Sequence, residues 1–166
     1  ASSAASDVYK RQIFYMEVDL MGVQFKEVNF SRVVDKLSAC CLSEDVCGEC
    51  VSSKCLVSYG KDCLKYCMIN KVTGVLDGHK NIPLLDTKIY DQEAVINGIV
   101  DILKTCKSCK EEHFENCIIN IIRNCYEVII TGQEQEYKGS VLLYLNSLKE
   151  IDSDLADKVF EKFNSK

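Results

Sequence analysis

Apolar residues recur along this chain at steps of three and four, the spacing that gives a helix one buried face. Phe30, Val33, Val34, Leu37 and Cys41 make one stripe, and Val95, Ile99, Ile102, Leu103 and Cys106 make another. The most continuous runs through Phe114, Cys117, Ile118, Ile121, Ile122, Cys125, Val128 and Ile129. Val141, Tyr144, Leu145 and Leu148 follow, and then Leu155, Val159, Phe160 and Phe163. A further helix is expected over Cys55–Asn70. Asp91, ahead of Gln92 and Glu93, and Ser153 with Asp154 are suited to start helices, because a short polar side chain there can accept from an unpaired backbone N–H. Between residues 71 and 90, Thr73-Gly74, Asp77-Gly78 and Pro83 signal turns, so this stretch reads as a connector with a short hairpin. The expected fold is all-α, about five or six helices in one compact bundle.

Two pairs of segments resemble each other. VVDKLSAC, Val33 to Cys40, matches IVDILKTC, Ile99 to Cys106, at Val, Asp, Leu and Cys. KCLVSYGKDC, Lys54 to Cys63, shares Cys-x7-Cys with NCIINIIRNC, Asn116 to Cys125. The pattern predicts a duplicated unit of helix, cysteine-rich loop and helix, over about 25–70 and 91–131, with C-terminal helices in 140–166.

The first residues change how the composition is read. Ser2 to Gln12 back-translates to a transposase adapter used in sequencing libraries, so residues 1–12 are read as a disordered artefact of assembled environmental DNA. The domain is then 13–166, with Met16, Met21 or an upstream residue as its start. The adapter's Asp7, Lys10 and Arg11 contribute +1 to the chain's net −5, leaving −6. That acidity argues against nucleic-acid or anionic-membrane binding, and no apolar run is long enough to span a membrane. Arg occurs beyond the adapter only at Arg32 and Arg123, while Lys, Ile and Asn are frequent. This is the bias of AT-rich coding DNA and is compatible with an anaerobe.

Eleven cysteines carry the chemistry. Their odd number and the long helical patterns argue for reduced thiols in a cytoplasmic setting over a disulfide scaffold. Thiolates bind soft metals, and a Cys-x-x-Cys turn lets two sulfurs converge on one ion. Two such pairs occur, Cys47/Cys50 and Cys106/Cys109. Near the second pair, Cys106, Cys109, His113 and Cys117 form a compact CxxCxxxHxxxC set, provided that the helix breaks near Lys110. Cys125 is set aside, because residues eight apart on a helix are about 12 Å apart along its axis. Two thiolates on one zinc, at ~2.3 Å each, stand no more than about 4.6 Å apart.

Around the first pair three groupings are open. Cys47, Cys50, Cys63 and Cys67 have the ligand spacing of a two-Cys, two-His zinc finger, but Lys54 and Gly60 stand where that finger needs an aromatic and a Leu. Cys40 or Cys41 with Cys47, Cys50 and Cys55 fits the duplication better. The third grouping joins the two Cys-x-x-Cys pairs. The expected cofactor is an iron–sulfur cluster, slightly ahead of zinc, in an electron-transfer, redox-sensing or accessory protein with a redox or protein partner. The alternatives are a zinc-stabilised scaffold for protein–protein interaction and a thiol–disulfide oxidoreductase using Cys47/Cys50. Hydrolase and nucleotide chemistry find no support: His79 and His113 are the only histidines, and no Gly-x-Ser-x-Gly, Gly-x-Gly-x-x-Gly or phosphate loop accompanies them.

Overall fold

The apolar stripes become helices whose faces meet in one main core, beside a small second cluster of Leu56, Ile82, Cys125 and Val128. The computed structural model describes residues 28–109 and 113–166. The adapter-like segment, Met16, Met21 and Lys110 lie outside them. Among the described residues the elements are α1 (Phe30–Ser38), α2 (Glu44–Cys47), α3 (Leu56–Asn70), α4 (Gln92–Lys107), α5 (Ile118–Thr131), α6 (Val141–Ile151) and α7 (Ser153–Asn164), with 3-10 turns at Ser52–Lys54 and His79–Asn81. The protein is all-α, with no strand among the described residues and an isolated bridge between Gly74 and Cys117. Six of these helices are those the periodicity predicts. The seventh, α2, is a single turn in the first cysteine loop, too short to carry a stripe. No helix among the described residues is long and apolar enough to cross a membrane.

Local chemistry sets the helix starts. Asn29, Asp91, Ser140 and Asp152 each accept from a backbone N–H in the first turn of α1, α4, α6 and α7. Such caps contribute about 1 kcal/mol each. Asp91 is the expected cap, whereas α7 is capped by Asp152, one residue ahead of the expected start. Three stripe assignments need correction. The stripe that begins at Phe114 becomes helical only at Ile118, and Phe114 is partly exposed. Because α1 ends at Ser38, Cys40 turns into the core and Cys41 faces solvent. Phe160 is half exposed, while Val159 beside it is fully buried.

α1 packs on α3 and α4, and α5 packs on α3 and α4, closing a ring of four helices; α6 and α7 pack on each other and both reach α4. α4 and α5 come close together at Gly98, where a Cβ would lie 2.2 Å from Tyr126 Cζ. Any side chain there would displace the aromatic ring that crosses α4. The helices that share sequence also meet: α1 with α4, and α3 with α5. Across the second contact, aligned positions face each other. A Cβ on Gly60 would lie 3.0 Å from Ile122 Cδ1, and Cys63 is near enough to Cys125 to add to the upward push that burial gives its thiol.

The connector over 71–90 makes no hairpin among the described residues. Besides local turns, two of its backbone groups bond to the start of α5: Ile118 N–H donates to Thr73 O at 2.8 Å, and Val75 N–H to Asn116 O at 3.0 Å.

Candidate metal centre

Cys106 lies in the last turn of α4, half-buried, and the helix stops one residue later at Lys107. Cys109 N–H then donates to Cys106 O at 3.0 Å, so the chain turns back within the CKSC pair. Cys109 is exposed; Cys117, half-buried, is the cap residue of α5, and the connector's Gly74 is bridged to it. His113 is exposed, with its ring centroid 5.2 Å from that of Tyr137. These four candidate ligands line one cavity of about 170 Å³, together with Asn120, Tyr137 and other residues of mostly apolar character. They share its wall without converging: among the described residues, no three His, Cys, Asp or Glu side chains are grouped closely enough to hold a metal ion.

Electrostatics differs from residue to residue in this wall. Burial pushes the Cys106 thiol up to about 12, while the Arg123 guanidinium works against that rise and Cys117 and Cys109 add to it. Burial, and after it Arg123, lowers His113. Its imidazole therefore favours the neutral form, which is the form that ligates metal.

Behind the wall lies a buried polar network on α5. Arg123 Nε donates to Glu127 Oε1 at 2.7 Å, with side chains 1% and 0% exposed. Arg123 Nη2 donates to Gln135 O at 3.1 Å. Glu127 Oε2 also accepts from Asn124 Nδ2 at 2.9 Å and from Gln135 N–H at 2.8 Å. The guanidinium carbon lies 4.9 Å from the Tyr137 ring centroid and 5.5 Å from that of Tyr144. Sequence reasoning passed over Arg123, Asn120 and Tyr137. The available signal was a pair of opposite charges four residues apart inside the most apolar helix, a spacing that puts them side by side.

The first loop is built differently. Cys47 ends α2, and Gly48 follows in a γ-turn with φ of 74° and ψ of −61°, closed by Glu49 N–H donating to Cys47 O at 3.0 Å. Cys50 is exposed, its thiol donating to Ser58 Oγ at 3.4 Å. Cys55 caps α3, its sulfur accepting from Ser58 N–H at 3.4 Å and lying 3.6 Å from Tyr90 OH. Cys50 and Cys55 thus converge on Ser58, and both Cys47 and Cys55 are near enough to Lys88 to help raise its pKa. The far end of the connector secures this loop. Asp86 accepts from Leu56 N–H at 2.8 Å, Tyr90 OH at 2.6 Å and Lys88 Nζ at 2.8 Å, and Lys88 Nζ also donates to Lys54 O at 3.1 Å.

The remaining candidates are core residues. Cys40, Cys63 and Cys67 are buried. Burial pushes Cys40 and Cys63 up to about 11 and Cys67 higher still. The Cys67 thiol donates to Gly74 O at 3.6 Å, and Cys125 is fully buried. At the finger-like spacing, the space a Leu would need at position 60 is taken by Leu37 and Ile122. His79 is engaged structurally, its Nδ1 lying 2.8 Å from Asn116 Oδ1 and its Nε2 3.3 Å from Glu115. None of the cysteines is joined in a disulfide. Comparison with protein-family models, curated proteins and solved structures finds no match.

Proposed function

We propose that this is a metal-binding protein whose principal centre is held by Cys106, Cys109, His113 and Cys117. The observation that carries the reading is that this CxxCxxxHxxxC set lines a single cavity. Ligation requires the wall to close. Cys109 and His113 are exposed and can rotate at small cost, whereas Cys106 and Cys117 are seated at helix ends. An iron–sulfur cluster is favoured over zinc, because the cavity is several times the ~30 Å³ share of one water. A zinc ion closed in by four ligands at ~2.0–2.3 Å needs no such space. The role would be electron transfer or redox sensing, with a redox partner. The resemblance of the two halves is attributed to duplication, which makes Cys47, Cys50 and Cys55 the counterpart loop and a candidate second centre.

A zinc-stabilised scaffold is the second reading, favoured by the connector's Leu84, Leu85 and Ile89, which are strongly exposed and suit a protein partner. A dithiol oxidoreductase has less support. Cys47 ends a helix of one turn, whereas the reactive thiol of such enzymes sits at a helix start.

The test is anaerobic purification of the chain without residues 1–12, followed by metal and acid-labile sulfide analysis. Iron with sulfide and broad visible absorption is expected. Zinc without sulfide moves the reading to the scaffold, and folded protein with neither overturns it.

A further inference from the structure

We propose that Arg123 is a positioning residue that serves as counter-cation to the centre at Cys106, Cys109, His113 and Cys117, and that the group held there is a net anion. This rests on the metal reading above and adds to it the charge of the bound group and the residue that compensates it.

Arg123 is almost fully buried, a costly place for a guanidinium, and its hydrogen bonding is incomplete. Nε and Nη2 are engaged, but Nη1 is buried with no hydrogen-bond partner among the described residues. An unmet buried donor costs about 1–3 kcal/mol, and more when charged. The acceptor end of the network is in the opposite condition. The Glu127 carboxylate has both oxygens engaged, by Arg123, Asn124 and Gln135. The unpartnered atom of the ion pair is therefore on its positive end.

That positive end lies toward the cavity. The guanidinium lies over the ring of Tyr137, which is in the cavity wall and also neighbours the rings of His113 and Tyr144. Asn120, one helical turn before Arg123, lines the same cavity. Its Nδ2 is committed to Glu115 O and Asn124 Oδ1, while its Oδ1 is buried without a partner among the described residues. A histidine that binds metal through one nitrogen needs an acceptor for the N–H of the other, and Asn120 supplies an amide oxygen in the wall that His113 shares. Three thiolates around a divalent ion leave a charge of −1, which is expensive to hold against apolar walls without a fixed opposite charge. Arg123, the positive end of its buried pair with Glu127, offsets part of it, screened from solvent.

The full chain, reduced and metal-free, is titrated with Cd(II) while the thiolate-to-metal absorption is followed, and thermal stability is measured in parallel without metal. Two double variants remove the charge pair. Arg123→Met with Glu127→Met replaces it by apolar volume, a change that buried ion pairs often tolerate without loss of stability. Arg123→Gln with Glu127→Gln keeps polar side chains in its place. Whichever variant folds should bind Cd(II) about 10- to 100-fold more weakly than the parent, the range seen for outer-shell changes. Arg123→Lys, which keeps the charge, should retain most of the affinity. A folded double variant that binds as tightly as the parent overturns this proposal and leaves the metal reading standing. A parent chain that shows no thiolate-to-metal absorption overturns the metal reading, and this proposal with it.

Discussion

The two cysteine loops invite comparison because they occupy like places, each ending at a cysteine that caps a long helix, Cys55 on α3 and Cys117 on α5. The first holds more thiols, and the second holds the proposed centre. In the first, Cys41 and Cys50 face solvent and the sulfurs settle on Ser58 and near Lys88. In the second, fewer thiols and one imidazole share a cavity wall backed by a buried cation. The contrast shows that thiols crowded in sequence need not share a cavity, whereas fewer thiols placed at two helix ends do. The connector reaches both loops, its Thr73–Val75 end at Cys117 and its Asp86–Tyr90 end at Cys55.

The sharpest way to break this comparison is to remove each Cys-x-x-Cys pair in turn. Cys106→Ser with Cys109→Ser should weaken metal binding at the principal centre by more than about a hundredfold, beyond the cost of outer-shell changes. Cys47→Ser with Cys50→Ser should leave that centre loaded. Titration of both variants with Cd(II) checks this, and a reversed order would make the first loop the principal site.

The two ends of the connector offer a smaller effect. Asp86→Ala strips partners from Leu56 N–H, Tyr90 OH and Lys88 and should cost about 2–4 kcal/mol in a denaturant titration. Gly74→Ala should cost about 1–3 kcal/mol, since the new Cβ would meet Asn116 O at 2.7 Å. Only the second change should also weaken metal binding. Asp86 gives the first loop a pH signature. Burial works to raise its carboxyl, but the hydrogen bonds from Lys88, Tyr90 and Leu56 prevail and hold it below its ordinary 3.8. A lowered folded-state pKa means that this stabilisation is present above pH 3.8 and is lost as the pH falls through the folded value. Asp86→Ala should therefore flatten the acid limb of the stability curve.

The smallest effect separates site thiols from core thiols. Cys125→Ala should cost about 1–2 kcal/mol in stability and leave metal content unchanged. The buried thiols act together at high pH. Cys67 and Cys125 keep their protons in the folded state well above the ordinary 9.0, so the unfolded chain ionises first. Their contribution is complete below pH 9 and declines above it, by about 1.4 kcal/mol per pH unit for each thiol. Cys125→Ala should make that decline shallower, and an unchanged slope would show that Cys125 takes no part in it.

Much of the fold was legible because helix period and capping are local. Val95 to Cys106 and Val141 to Leu148 became α4 and α6 with the stripes inward, and Asp91 capped where its side chain permits. Errors came where a helix boundary decided the outcome. One or two residues at the end of α1 exchanged Cys40 for Cys41 as the buried thiol, and a start at Ile118 left Phe114 outside α5. Within the candidate site, Cys106, Cys109, His113 and Cys117 could be grouped from spacing because they are close in sequence. Arg123, Asn120 and Tyr137 could not, since nothing local says which face of α5 or which loop will back a cavity.

Residue order settled the helical class, the stripes, the caps and the two Cys-x-x-Cys turns, each of which depends on neighbours within about one or two helical turns. Which thiols sank into the core, which loop acquired a cavity, and how one connector came to hold both loops were settled by packing between segments far apart in the chain. Distant contacts form only where whole helix faces fit, and that fit, felt at Gly60 against Ile122 and Gly98 against Tyr126, is a property of surfaces in three dimensions.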